Sequence, residues 1–370
     1  MEEALSMKET IRKRLYTNMI NTYGEYVTNP KDLIGDKDPS LLFFIFGRLF
    51  RELLVDGYAS ISTNSIKKKK KFNSIIRKVG KHFLSNPQII LDKNELIGIT
   101  QNDIEKASFD KEEKYIYIAN HAFKDDALAS ILATRSHAYI FFASLPIMFN
   151  TLDGFLAWLN GVVLVNRKVT KSRKESVKKA VTVLENGASL LIFPEGVWNK
   201  TEELLVLPLW PGVYRIAKET GAKIVPIVHY IRDLVNDDKD NPIYTIIDDP
   251  IDITNMDEEE ALQLLRDTMA TWVYLMMEKY GQTTREELLR GKDANKYWEE
   301  ELDKRVKTAG RYDFSIETTA HFIPRAQREL REIQTTICNI NKITKQNAFV
   351  VAEMMHEKEI AKQKDYQSRF

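Results

Sequence analysis

The stretch Tyr115–Asp126, YIYIANHAFKDD, decides how the rest of the chain is read. Tyr115, Ile116, Tyr117 and Ile118 form a short run of β-branched and aromatic residues, the signature of a strand. The run ends in Asn120 and His121, and a four-residue spacer leads to Asp126, where the acidic pair Asp125-Asp126 opens a helical pattern. An imidazole at a strand end accepts a proton near neutral pH. A carboxylate on the next helical turn can hold one ring nitrogen and fix the tautomer. This is a general-base arrangement. A structural histidine followed by a capping aspartate gives the same local pattern, so the choice between them rests on the neighbouring segments.

From Tyr115 onward, short apolar runs alternate with helical patterns. YIYIAN is followed by DALASILATR, AYIFFA, FLAWLN, VVLVNR, SRKESVKKAVTVLENG, SLLIFPEG, PGVYRIAKETG, KIVPIVHYI and IYTIID. Such alternation predicts an α/β fold, a three-layer αβα core with a mixed sheet over residues 111–255. Within it, Lys171–Asn186 carries an apolar face of Val177, Ala180, Val181 and Leu184, with Gly187 as a left-handed stop. Pro211-Gly212 opens another helix that ends at Gly221. Residues 1–110 read as helical and irregular, broken at Asn29-Pro30 and Asp38-Pro39. Residues 256–370 read as a charged helical extension.

Composition narrows the function classes. The chain has 370 residues, 44% hydrophobic and 29% charged, enough apolar material to bury a core. A net charge of +1 offers no bulk field for nucleic acid. The single cysteine, Cys338, excludes a disulfide framework and a thiolate zinc site and fits a reducing cytoplasm. The first residues, MEEALSMKET, are charged and lack the apolar core of a signal peptide. No apolar run is long enough to span a bilayer. The nearest, Leu41–Val55, is either a helix buried against the domain or one lying in the headgroup plane. Lys67–Lys71, five lysines in a row, would attract anionic lipid if they are not simply a solvated loop. The expectation is a peripheral protein at the inner, cytoplasmic face of a membrane.

Four stretches stand at strand ends. Asn120-His121 with Asp126 is the first, and Gly161–Arg167, a strand that delivers Arg167, is the second. Phe193-Pro194-Glu195-Gly196, with a carboxylate exposed between Pro and Gly, is the third. Ile224-Val225-Pro226-Ile227 is the fourth, its proline suggesting a bulge or an edge. Strand ends are where open α/β sheets build sites. In this order the four stretches resemble the motif blocks of the glycerolipid acyltransferases, H-x4-D, G-x-x-F-I-x-R, F-P-E-G-T-R-S and a proline block, over roughly Ile118–Tyr230.

The resemblance implies acyl transfer from a thioester, acyl-CoA or acyl carrier protein, to a lysophospholipid of the 1-acylglycerol-3-phosphate type. It needs no metal or cofactor. His121 takes the role of general base, with Asp126 orienting it. Arg167 takes the acceptor phosphate, and Glu195 and Gly196 shape the acceptor site. Pro226 is structural or lines the acyl site. Two departures touch the acceptor. Leu164 replaces a usual Phe, and Val197-Trp198 replaces Thr-Arg, which removes a guanidinium that the family directs at phosphate. Lys200 is left as a substitute point charge without the planar fork.

A neutral or amine-bearing acceptor therefore stands beside the phosphate reading. A non-catalytic, membrane-associated lipid-binding protein on the same fold is the second class, which the intact His121 and Asp126 disfavour. Thioester hydrolysis is the third, which Arg167 disfavours. G-x-S-x-G, GxGxxG and the P-loop are absent. His82, His137, His229, His321 and His356 lack partners at matching spacing and read as structural or surface residues.

Overall fold

A computed structural model describes residues 61–96, 113–121, 123, 125–143, 152–166, 169–197, 205–232 and 241–281. The Leu41–Val55 stretch, Arg167, Trp198, Lys200 and most of the charged extension lie outside the described residues. The chain divides into two compact units. One takes residues up to Ile76 together with His137–Leu191, and the other takes Arg77–Ser136 together with residues from Ile192 onward.

In the first unit three parallel strands, β3 (Ala138–Phe142), β4 (Val162–Leu164) and β5 (Ser189–Ile192), are ordered β5-β3-β4. Helices α4 (Leu152–Asn160) and α5 (Thr170–Glu185) supply the crossovers that parallel pairing requires. The lysine run is helical rather than a loop, because it lies within α1 (Thr63–Val79). Lys69 is buried there, with Nζ 5.0 Å from the centre of the Tyr139 ring, and burial lowers its pKa to about 8. Four of the five lysines, Lys67, Lys68, Lys70 and Lys71, remain exposed.

The second unit carries β1 (Gln88–Ile90), β2 (Ile116–Ala119), β6 (Ile224–Ile231) and β7 (Ile243–Ile247), ordered β1-β7-β6-β2. Pairing is parallel for β1 with β7 and for β2 with β6, and antiparallel for β6 with β7. The architecture is therefore α/β with a mixed sheet, as expected. The edge strand β1 is drawn from residues ahead of the 111–255 range. The four residues of β2 and all eight of β6 are buried, which is why they read as continuous apolar runs rather than as alternations.

Pro226 corrects the sequence reading. Strand β6 lies between β7 and β2 and is no edge, and its register with β2 runs unbroken from Ile116↔Ile224 to Ala119↔Ile227. The ladder to β7 begins one residue later, at Ile227↔Ile247, so the missing N–H falls where that ladder ends.

Helix α6 (Gly212–Thr220) stops at Gly221, whose φ of +68° is the left-handed cap that glycine takes at least cost. Helix α7 (Glu258–Tyr280) is capped by Asp257, whose side chain accepts from Glu260 N–H. The helix belongs to the core. Leu265, Met269 and Met276 are fully buried, and the Trp272 indole N–H donates to Asp248 Oδ2 at 2.6 Å. Among the described residues no helix is long and apolar enough to cross a membrane.

Candidate active site

The site grows from the end of β2. Backbone pairing with β6 stops at Ala119, and the Asn120 side chain continues it. Its Oδ1 accepts from His229 N–H at 2.8 Å and its Nδ2 donates to His229 O at 2.9 Å. His121 N–H turns away from the ladder and donates to Glu195 Oε1 at 2.8 Å.

Helix α3 (Asp126–Thr134) starts five residues after His121. Asp125 caps no helical N–H, and its Oδ2 instead accepts from Ser85 N–H and Oγ–H. Asp126 points inward. Its side chain is 2% exposed, and its Oδ2 accepts from His121 Nδ1–H at 2.6 Å. That bond places the imidazole proton on Nδ1 and makes Nε2 the basic nitrogen. The His121 ring keeps 20% of its surface open to solvent, against Phe193 at 4.7 Å between ring centres. A carboxylate-oriented imidazole with its proton held on Nδ1 has the orientation that a general base requires.

Glu195 reverses an expectation. The sequence placed its carboxylate in the open between Pro194 and Gly196, whereas the residue is 1% exposed. Phe193–Gly196 forms a tight turn closed by Gly196 N–H donating to Phe193 O at 2.9 Å, with proline and glycine at the positions such turns favour. Gly196 takes φ +74°, a conformation that a Cβ would strain. The turn folds Glu195 inward, so that Oε1 holds His121 N–H and Oε2 accepts from Leu207 N–H at 2.8 Å. The structure thus brings together His121, Asp126, Glu195 and Gly196. Arg167 and Lys200 fall outside the described residues. Among the described residues no cluster of His, Cys, Asp or Glu could hold a metal ion.

Asn120 enters the motif reading only as the neighbour of His121, His229 reads there as structural or surface, and Leu207 is not singled out. Asn-His at a strand end was the one available signal for Asn120; the partners of the other two come from distant segments. His229 is wholly buried, and burial lowers its pKa to about 3. As pH falls from about 6.5 towards 3, the unfolded chain takes up a proton that the folded imidazole refuses, so stability falls with pH across that window. Asp267, raised to about 6 by burial, acts in the opposite sense there. Comparison with a variant isolates the histidine. Between about pH 7 and pH 4.5, urea unfolding should show wild type losing roughly 2 kcal/mol more than His229→Gln.

The fold and site together are those of an α/β domain that holds a part-exposed imidazole on a buried carboxylate at a strand end. Residues 100–230 match the family model described as Acyltransferase. The similarity to acyltransferases thus covers about a third of the chain. Similar curated proteins are 1-acyl-sn-glycerol-3-phosphate acyltransferases. The one from Brassica napus, a chloroplastic protein, is 30% identical over 112 residues, covering 30% of this chain and 31% of the relative. That of Borreliella burgdorferi is 28% identical over 120 residues, 32% of this chain and 47% of the relative. That of Cocos nucifera is 35% identical over 114 residues, 30% of this chain and 36% of the relative. The matched segment thus spans a third to a half of these relatives. A solved 1-acyl-sn-glycerophosphate acyltransferase from Thermotoga maritima is similar at 18% identity and TM-score 0.39, covering 72% of this chain and 96% of that one.

Proposed function

We propose that the protein transfers a fatty acyl group from a thioester to the free hydroxyl of a lysophospholipid of the 1-acylglycerol-3-phosphate type. The observation that carries this reading is the 2.6 Å bond from His121 Nδ1 to Asp126 Oδ2, which makes Nε2 the basic nitrogen of a part-exposed ring. Nε2 takes the hydroxyl proton as the acceptor oxygen attacks the thioester carbonyl. The resulting tetrahedral centre expels the thiolate as the C–S bond breaks, and the imidazolium returns its proton to the sulfur. No covalent enzyme intermediate is needed. The names of the relatives support the lysophosphatidate acceptor, and the donor is acyl-CoA or acyl carrier protein. The test is formation of a diacylated lipid with release of one thiol, followed by mass spectrometry.

Arg167 stands two residues beyond the Val165 that follows β4 and serves the acceptor phosphate in this reading, with Lys200 as a second charge. Trp198, where the family has arginine, favours the alternative of an uncharged acceptor. The two separate on one comparison. With lysophosphatidic acid, Arg167→Ala should raise KM roughly ten- to a hundredfold, the loss of one charge-assisted contact, and leave monoacylglycerol unaffected. Equal use of both lipids by wild type and variant would give the acceptor as neutral or amine-bearing.

An acceptor with one fatty chain resides in a bilayer, so the enzyme works at a membrane surface, by this reading the inner face. Lys67, Lys68, Lys70 and Lys71 on α1 are the exposed charges for it, each contributing roughly 1 kcal/mol near anionic lipid. Sedimentation with phosphatidylserine vesicles should fall when these four become Gln and at high salt. Lys69→Gln should matter little to binding, because that amine is buried. Binding that ignores the four substitutions would remove the electrostatic contribution.

A further inference from the structure

His229 bonds to a neighbour of each half of the His121–Asp126 pair. On the strand side, its main-chain N–H and C=O are clamped by the Asn120 side chain, the neighbour of His121. On the helix side, its ring Nε2 lies 2.7 Å from Ser130 Oγ, and Ser130 Oγ–H donates to Asp126 O at 2.7 Å. The directions of these bonds follow from counting protons. The one hydroxyl proton of Ser130 is committed to a carbonyl, so Ser130 Oγ accepts and His229 Nε2 carries the ring proton. His229 Nδ1 then accepts from Thr245 Oγ1–H at 2.9 Å. Thr245 Oγ1 in turn accepts from Gln88 Nε2 at 2.9 Å, while Gln88 also donates to Ala129 O on α3. Phe123 meets the ring edge-on at 5.7 Å.

The chain of bonds runs one way, from Gln88 on β1 through Thr245 on β7 and His229 on β6 to the first turn of α3. Thr245, His229 and Ser130 are buried and Gln88 is half-buried, and the neutral ring has the single donor and single acceptor that its neighbours need. An ordinary core histidine would satisfy its own two nitrogens and stop there. This one is wired to Asn120, the residue before His121, and through Ser130 to Asp126.

We propose that His229 is a positioning residue that fixes the distance and aim of His121 relative to Asp126. The proposal rests on the acyl-transfer reading for its kinetic consequence, and its geometric consequence holds without it. Misplacement of a catalytic group by about 1 Å can cost on the order of a hundredfold in rate.

Ser130→Ala cuts the ring's tie to α3 with a residue that suits a helix, and His229→Gln is the second variant. In Ser130→Ala, kcat should fall roughly 5- to 50-fold with KM within about twofold, and in an Asp126→Asn background the same change should have almost no further effect. Equal losses in both backgrounds, or no loss in either, would overturn the proposal. The second readout needs no turnover. In full-length protein labelled at histidine nitrogens, the His121 Nδ1–H resonance, assigned with His121→Gln, should shift or broaden in both variants while thermal unfolding stays cooperative. An unchanged resonance overturns the positioning role. A wild type without acyl transfer would instead defeat the functional reading, and the resonance would still decide this one.

Discussion

His121→Ala should lower the proposed acyl transfer by roughly 10²- to 10⁴-fold, the contribution of one positioned base. The loss falls in kcat, because the imidazole acts on a proton that leaves only as the carbonyl is attacked. The fold survives, since the bond from residue 121 to Glu195 uses the main-chain N–H, which alanine keeps. The buried Asp126 carboxylate loses the imidazole N–H, so the melting temperature should fall by roughly several degrees while turnover falls by the far larger factor. Asp126→Asn separates orientation from basicity. An amide NH2 facing Nδ1 favours the tautomer with its proton on Nε2, the form that cannot act as base, and a loss of at least about tenfold is expected. Near-normal turnover in a folded His121→Ala protein would remove the mechanism.

Glu195→Ala has the second large effect, on stability and rate together. The carboxylate is 1% exposed and holds two main-chain N–H groups, those of His121 and Leu207. Removing it leaves both donors in an apolar surrounding at roughly 1–3 kcal/mol each. For a domain of this size that lowers the melting temperature by on the order of 10 °C. Glu195→Gln falls between, because one amide oxygen can serve only one of the two donors. Freed from this anchor, His121 drifts at its backbone, and kcat should fall by about ten- to a hundredfold. A carboxylate that touched the acceptor would raise KM instead. A fall in kcat at constant KM assigns Glu195 to holding the base, and a rise in KM at constant kcat assigns it to the substrate.

The sequence placed His121 against Asp126 because that signal is local. A strand run, a histidine, five residues and an aspartate lie within one loop, and proximity in sequence became a 2.6 Å contact. The stop of α6 at Gly221 was legible for the same reason. Direction of side chains was not. Pro194 and Gly196 announce a turn, and turn chemistry leaves open whether the residue between them faces solvent or the interior. It faces the interior because two distant N–H groups, from β2's end and from Leu207, await an acceptor there. Pro226 misled by the same route. Proline is tolerated inside a sheet where a neighbouring ladder stops, and that stop depends on β7, some twenty residues further along. The pairing of Gln88 with Ile243 and the network around His229 join segments that no local period connects.

The most direct measurement follows thiol release and lipid acylation together in the purified full chain, with acyl-CoA and acyl carrier protein donors and vesicles containing lysophosphatidic acid. The account predicts one diacylated lipid for each thiol released, with both signals lost in His121→Ala. Thiol release without an acylated lipid on any acceptor would make water the acceptor and contradict the transferase.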